Sequence, residues 1–134
     1  MNRLAVSPLL RLALRLDAVA SLASGLLSCL FAQTLAAWMG AAPDRVLAVG
    51  VFMIAYGAAV GWLGLQSRLA PGAVWLVVVG NTIWVLASVT LAFSGWIAPN
   101  ALGLAILLSQ AAAVALFAEL QYLGLRACTA ANPA

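Results

Sequence analysis

Long apolar stretches alternate with short polar breaks along this chain. A helix that spans a bilayer needs about 20 mostly apolar residues, and four stretches qualify, at residues 16–38, 46–65, 73–93 and 101–123. The breaks between them are rich in Gly, Pro, Ser, Asp and Asn, which are typical of turns. The pattern predicts four transmembrane helices, and the short links make successive helices antiparallel neighbours.

The first stretch is either a membrane span or a cleaved signal peptide. Arg3, Arg11 and Arg15 precede it, and residues 26–29 (Leu-Leu-Ser-Cys) loosely resemble a lipoprotein cleavage site. The apolar region of a cleaved signal is about 7–15 residues long. Here the apolar run is interrupted by Asp17 and then continues well beyond the cysteine, so we expect a span.

Composition indicates the same class of protein. Hydrophobic residues make up 66% of the 134 residues and charged residues only 7%, against about 25% charged residues in a soluble domain. A soluble fold of this size has too little interior to bury so much apolar surface. We therefore predict an all-α polytopic membrane protein whose residues 1–134 form one antiparallel four-helix transmembrane bundle, with the lipid bilayer as its partner.

Similarity between the two halves of the chain raises the alternative of two tandem helical hairpins. Asp17 is followed by Leu-Ala-Ser at residues 22–24, and Asn81 is followed at the same spacing by Leu-Ala-Ser at residues 86–88. Internal repeats of this kind are common in transporters. Coincidence in a chain rich in Ala, Leu and Gly explains the match equally well, so both interpretations stay open.

The arginines predict the orientation of the bundle. Arg45 falls at one end, and the other five fall at the opposite end: Arg3, Arg11, Arg15, Arg68 and Arg126. Because positive charge is retained on the cytoplasmic side, we expect both termini to be cytoplasmic, in a bacterial inner membrane. The formal net charge of +3 does not indicate a surface that binds nucleic acid, and we expect no nucleic-acid partner.

Polar residues inside the predicted spans are the candidates for a functional site. An ionisable group at mid-membrane costs about 2.5–3.5 kcal/mol on insertion scales, and such groups usually face the bundle or a wet cavity. Asp17, Asn81 and Glu119 all fall in the arginine-bearing half of the bundle. We expect them to form one ligand-binding site, with Trp84 and Tyr56 as its aromatic walls.

Each of these polar residues also has a purely structural explanation. Asp17 would stabilise the positive N-terminal end of the first helix, or pair with Arg11 or Arg15. Asn81 would make an interhelical hydrogen bond, and Glu119 would reach the interface or pair with an arginine. These explanations remain alternatives to the shared site.

Small residues predict close helix packing. A stripe on the second span includes a GxxxG motif and consists of Gly50, Gly57, Gly61 and Gly64. On the fourth span, Glu119 points nearly opposite the face shared by Gln110 and Gln121, as expected for a helix that is central to the bundle or contacts a second subunit. Packing within one chain is the simpler explanation, and a homo-oligomer is the alternative.

Patterns for catalysis and metal binding are absent from the sequence. The chain has no His, and its two cysteines, Cys29 and Cys128, form no C-x-x-C pair. It also has no Gly-rich phosphate loop and no pairing of a nucleophile with a base. We therefore expect no enzyme, no metal site and no cofactor, although acid–base work by Asp17 and Glu119 is a third alternative.

Three segments carry a resemblance to known proteins: residues 14–17 (LRLD), 80–88 (GNTIWVLAS) and 118–126 (AELQYLGLR). In these segments the chain resembles a group of small, uncharacterised bacterial four-helix membrane proteins. The resemblance implies a four-helix bundle and no particular activity. Small multidrug exporters have a similar size but carry a glutamate in the middle of the first helix, where this chain has Asp17 near the predicted helix end.

Two functional hypotheses follow from these patterns. The first is a membrane protein that binds or transports an ion, a small molecule or a lipid through the polar site. The second is a non-catalytic interaction or assembly subunit that oligomerises through its small-residue helix faces. A solvent-connected cavity beside Asp17 would favour the first hypothesis, and a dry, tightly packed bundle would favour the second.

Overall fold

The chain folds into an all-α bundle. A computed structural model describes residues 3–131, with residues 130 and 131 as backbone only. The elements are β1 Leu4–Ala5, α1 Pro8–Leu30, α2 Ala32–Met39, α3 Pro43–Leu65, β2 Arg68–Leu69, α4 Pro71–Phe93 and α5 Ala101–Ala131. The helices α1, α3, α4 and α5 are long and apolar enough to cross a membrane. The predicted fold class, a four-helix membrane bundle, is confirmed.

Helix α1 begins eight residues earlier than the apolar pattern predicts. The Oγ of Ser7 accepts a hydrogen bond of 3.1 Å from the backbone N–H of Leu10, and Pro8 suits the first helical position, which needs no N–H donor. An apolar window misses this start because it excludes the arginines of the first turns. Asp17 therefore lies about 14 Å along α1, two turns deeper than expected.

The first predicted span consists of two helices. At Phe31 the backbone leaves the helical region (φ −118°, ψ 32°), although the Phe31 N–H still bonds the carbonyl of Leu27. Helix α2 then ends at Gly40, whose φ of +61° is left-handed and favours glycine. A Cβ at Gly40 would overlap the backbone carbonyl of Ala98, so the α2–α3 turn and the α4–α5 link pack without a side chain there.

The bundle is built from two closely packed helix pairs. Helix α1 packs most extensively against α3, helix α4 against α5, and α1 also contacts α5. A Cβ at Gly57 would lie 2.9 Å from Cγ of Leu22 and 3.0 Å from its backbone nitrogen, so the glycine stripe of α3 is covered by α1 within one chain. Two antiparallel pairs fit two tandem hairpins, while an origin by duplication stays a prediction.

The arginine-bearing end of the bundle is closed by contacts between distant parts of the chain. Strand β1 pairs with β2, with Leu4 opposite Leu69, and the Oγ of Ser7 donates a 2.8 Å hydrogen bond to the carbonyl of Gly124. The backbone N–H of Ser7 also donates to Sγ of the buried Cys128, which explains why α5 continues beyond residue 123. The chain ends, residues 1–2 and 132–134, lie outside the described residues.

Candidate functional site: a polar cluster shared by four helices

Asp17 lies on the inner face of α1 and is only 1% exposed. Its neighbours on that face are small or apolar, including Ala13, Leu14 and Ala18, so the helix can approach its partners closely. Tyr56 of α3 lies about 14 Å from the end of its helix, and Asn81 lies about 15 Å from the start of α4. The three side chains therefore reach the same level of the bundle.

Side chains from all four long helices hydrogen-bond with the Asp17 carboxylate. The amide nitrogens of Asn81 and Gln121 donate to its Oδ2 over 2.8 and 2.7 Å. The hydroxyl of Ser21, one turn along α1, donates to Oδ1 over 3.2 Å. The hydroxyl of Tyr56 lies 3.3 Å from Oδ2. These five residues, Asp17, Ser21, Tyr56, Asn81 and Gln121, are called the Asp17 cluster below.

Hydrogen bonds among the partners complete the Asp17 cluster. Tyr56 has a single hydroxyl proton, and its 2.7 Å contact with Oδ1 of Asn81 is much shorter than its contact with the carboxylate, so the proton points mainly at Asn81. The second amide proton of Asn81 is donated to Oε1 of Gln121 over 3.1 Å. Within residues 3–131, no buried side-chain nitrogen or oxygen lacks a partner.

The buried carboxylate is held by uncharged groups. Its four partners are a serine, a tyrosine and two amides, and Arg15 donates its Nε proton to the carbonyl of Gly64 at the end of α3 instead. This geometry does not agree with Asp17 as a group at the positive end of its helix. It does not agree with Asp17 as the partner of an arginine either. In the part of the chain that the structure describes, no three His, Cys, Asp or Glu residues are grouped to hold a metal ion.

Trp84 belongs to a second, smaller polar cluster further along α4. Its Nε1 donates to Oε1 of Gln110 over 2.8 Å, and Nε2 of Gln110 donates to the hydroxyl of Ser88. The Phe52 ring stacks between the two aromatic side chains, with its centroid 6.3 Å from that of Tyr56 and 6.1 Å from that of Trp84. Trp84 is thus connected to the Asp17 cluster through aromatic stacking and not through hydrogen bonds.

Of the five residues expected to share one site, the structure brings Asp17, Tyr56 and Asn81 into direct hydrogen-bonded contact. Trp84 lies one aromatic ring away. Glu119 does not join them, because its side chain is on the outer face of α5 and lines a groove there. A carboxylate on the far side of the helix cannot act together with Asp17.

Two members of the cluster, Gln121 and Ser21, are not among the site residues predicted from the sequence. Gln121 is fully buried, and its position was marked by the small residues around it: Ala118 and Gly124 lie one turn to either side on the same inner face of α5. Ser21 lies one turn from Asp17 on α1, and a serine inside an apolar span indicates helix packing as readily as chemistry. A small-residue face was therefore a better guide to the site than charge alone.

The arrangement places a carboxyl group inside the bundle and surrounds it with uncharged hydrogen-bond partners. Such a group can take up a small cation, and it couples four helices through one set of bonds. No family model, curated protein or solved structure matches this chain.

Proposed function

We propose that this integral membrane protein is not an enzyme and that it binds an ion, the proton, at Asp17, as the binding step of proton-coupled transport. The observation that carries the proposal is a carboxylate 1% exposed in a membrane bundle, with only uncharged hydrogen-bond partners. Intramembrane carboxylates are costly and recur in proton relays and ion pathways.

A proton fits this site better than a metal cation does. A carboxylate has about four lone-pair positions, two on each oxygen, and Oδ2 already receives N–H hydrogen bonds from Asn81 and Gln121. The donated hydrogens would repel a metal ion at that side. Oδ1 receives one hydrogen bond among the described residues, from Ser21, so its second lone pair can take a proton and give a neutral carboxylic acid.

Binding of the proton changes the forces between the helices. Amides that donate to an ionised carboxylate make charge-assisted bonds, which are roughly twice as strong as bonds to a neutral acceptor. Neutral Asp17 therefore holds Asn81 of α4 and Gln121 of α5 less tightly to α1. The partners of Asp17 in the cluster are uncharged. The loosened contacts supply the conformational response that transport requires.

The first experiment measures proton uptake by Asp17 directly. The chain has two aspartates, Asp17 and Asp44, so an Asp44→Asn background leaves Asp17 as the only aspartate. Solid-state NMR of ¹³Cγ-labelled aspartate in lipid would follow its carboxyl carbon as pH is changed. We expect the signal to move from the carboxylate to the carboxylic acid position. A carboxyl signal that stays unchanged while the protein remains folded would contradict proton binding.

The second experiment separates transport from binding. Proteoliposomes with a trapped pH dye and an imposed membrane potential would report proton flux for the wild type and for Asp17→Asn, with Asp44→Asn as the matched control. We expect flux in the wild type and the control, and none above empty liposomes in Asp17→Asn. Proton uptake by Asp17 without proton flux across the membrane would support proton binding and contradict transport.

A second candidate function is a structural interaction or assembly subunit. The observation that favours it is the completeness of the Asp17 cluster, which satisfies its polar atoms without any ligand. The glycine stripe of α3 gives less support than the sequence suggested, since α1 already covers it. Chemical crosslinking in native membranes tests this candidate: a partner that is captured equally by wild type and Asp17→Asn would favour it.

We also place both termini on the cytoplasmic side of a bacterial inner membrane. Strand β1, the α3–α4 link and the last turns of α5 meet at one end of the bundle. That end carries Arg3, Arg68 and Arg126, and positively charged residues are retained on the cytoplasmic side of a membrane. Single cysteines at positions 3 and 45, labelled with a membrane-impermeant reagent in a Cys-free background, should react from opposite sides. Labelling of both from one side would contradict this placement.

A further inference from the structure

A short groove on the outer surface of the bundle contains an acidic group that the Asp17 cluster does not use. It has a volume of about 300 Å³ and lies between α4 and α5. Its lining includes Val78, Thr82 and Val85 of α4 and Ala115, Glu119 and Tyr122 of α5. In a membrane this surface faces the lipid, so a carboxylate at this position needs an explanation.

Glu119 cannot easily reach water. It precedes Arg126 by seven residues, or about 10 Å along α5, and helical side chains point toward the N-terminus of their helix. In α5 that direction leads away from the arginine-bearing end and deeper into the membrane. Arg126 lies over the Tyr122 ring, 5.9 Å from its centroid, and the Thr82 hydroxyl donates to the carbonyl of Val78. The groove therefore offers one acid between apolar walls.

The lining defines the chemical class of a ligand. A solute that enters from the lipid must be largely apolar to match the valine and alanine walls, and it must be cationic to complement Glu119. We propose that this groove binds a lipophilic organic cation, with Glu119 as its counter-ion. The inference does not depend on proton binding at Asp17.

A second copy of the chain or a partner helix fits the groove less well. A symmetric dimer pairs a surface with itself, which would bring two Glu119 carboxylates together, and no Arg or Lys lines the groove to separate them. The lining residues cover two turns of each helix, or about 10 Å. That length suits a small molecule, since ligand sites have volumes of about 300–1,000 Å³, and it is short for a transmembrane helix.

Tetraphenylphosphonium and tetraphenylborate provide a test with probes of equal shape and opposite charge. Equilibrium binding would be measured to protein in phosphatidylcholine nanodiscs, with empty nanodiscs as the lipid background. We expect saturable binding of the cation and none of the anion above background. Glu119→Gln should weaken cation binding by roughly tenfold or more, because it removes the opposite charge that attracts the cation.

Two further variants identify the groove itself. Asp44→Asn removes the same charge at the exposed start of α3 and should leave binding unchanged. Ala115→Leu fills the groove from its exposed lining and should weaken binding even though Glu119 is present. Equal binding by wild type and Glu119→Gln, or an equal loss in Asp44→Asn, would overturn the proposal. So would a Glu119→Gln variant that dissociates a dimer or loses a captured protein without losing the cation.

Discussion

Gly124 is the position at which the packing of α5 on α1 can be tested most sharply. A Cβ added there would lie 2.6 Å from both the backbone nitrogen and the Cα of Leu10. These are backbone atoms, so no side chain can rotate away. Gly124→Ala must push the two helices apart by about 0.8 Å, the difference between 2.6 Å and the 3.4 Å at which ordinary contact begins.

The expected loss of stability combines three effects. Overpacking a well-packed interior costs about 1–3 kcal/mol. The displacement also strains the hydrogen bond from Ser7 to the Gly124 carbonyl, and a hydrogen bond contributes about 0.5–1.5 kcal/mol. Alanine in place of glycine recovers up to about 1 kcal/mol of helix propensity. We therefore expect a net destabilisation of about 1–3 kcal/mol.

Equilibrium unfolding in mixed micelles, with increasing SDS and tryptophan fluorescence as the signal, measures this free energy. Gly80→Ala is the matched control because a Cβ at Gly80, also within a long helix, has no heavy atom within 4 Å. That variant should be unchanged or more stable. If Gly124→Ala were as stable as Gly80→Ala, the close contact between α1 and α5 would be refuted.

Three other substitutions probe hydrogen bonds at different places in the bundle. Asn81→Leu removes a donor to the buried Asp17 side chain and leaves Tyr56 and Gln121 without their partner, which should cost about 1–3 kcal/mol in micelle unfolding. Equal stability of variant and wild type would contradict these buried hydrogen bonds. Gln110→Leu removes bonds to neutral groups only and should cost about 0.6 kcal/mol per bond, so a loss larger than that of Asn81→Leu would reverse the expected order. Ser7→Ala removes the cap of α1 and the hydrogen bond to the Gly124 carbonyl, and it should cost about 1.5–2.5 kcal/mol. Ser94→Ala removes hydrogen bonds at an exposed loop position and should change unfolding less.

The four-helix architecture was predictable because length and hydropathy decide it. Apolar runs of spanning length leave few alternatives in a bilayer, where backbone groups must bond within their own segment. The residues at which the helices begin and end were less predictable than their number. The start of α1 is set by Ser7 and Pro8, and α5 is extended by contacts of Cys128 with the N-terminal segment; neither signal is apolar, and the second depends on tertiary structure.

The candidate site was predictable in part. Asp17 and Asn81 stood out because polar groups inside apolar spans are costly. Gln121 stands out less than Glu119 in the sequence, because an ionisable group in an apolar span is more costly than an amide. The rotation of α5 about its own axis decides which of the two residues lies inside the bundle. Gln121 and Glu119 are about 200° apart on the helix, and only contacts with α1 and α4 determine which of them faces inward.

The direct test of the Asp17 cluster is a distance measurement within it. With Asp17 as the sole aspartate in Asp44→Asn, rotational-echo double-resonance NMR can measure couplings from its ¹³Cγ to side-chain amide ¹⁵N of Asn and Gln in lipid. The hydrogen bonds of 2.8 Å from Asn81 and 2.7 Å from Gln121 predict two short carbon–nitrogen distances, one of which is lost in Asn81→Leu. Absence of both couplings in the folded protein would contradict a carboxylate shared by the four helices.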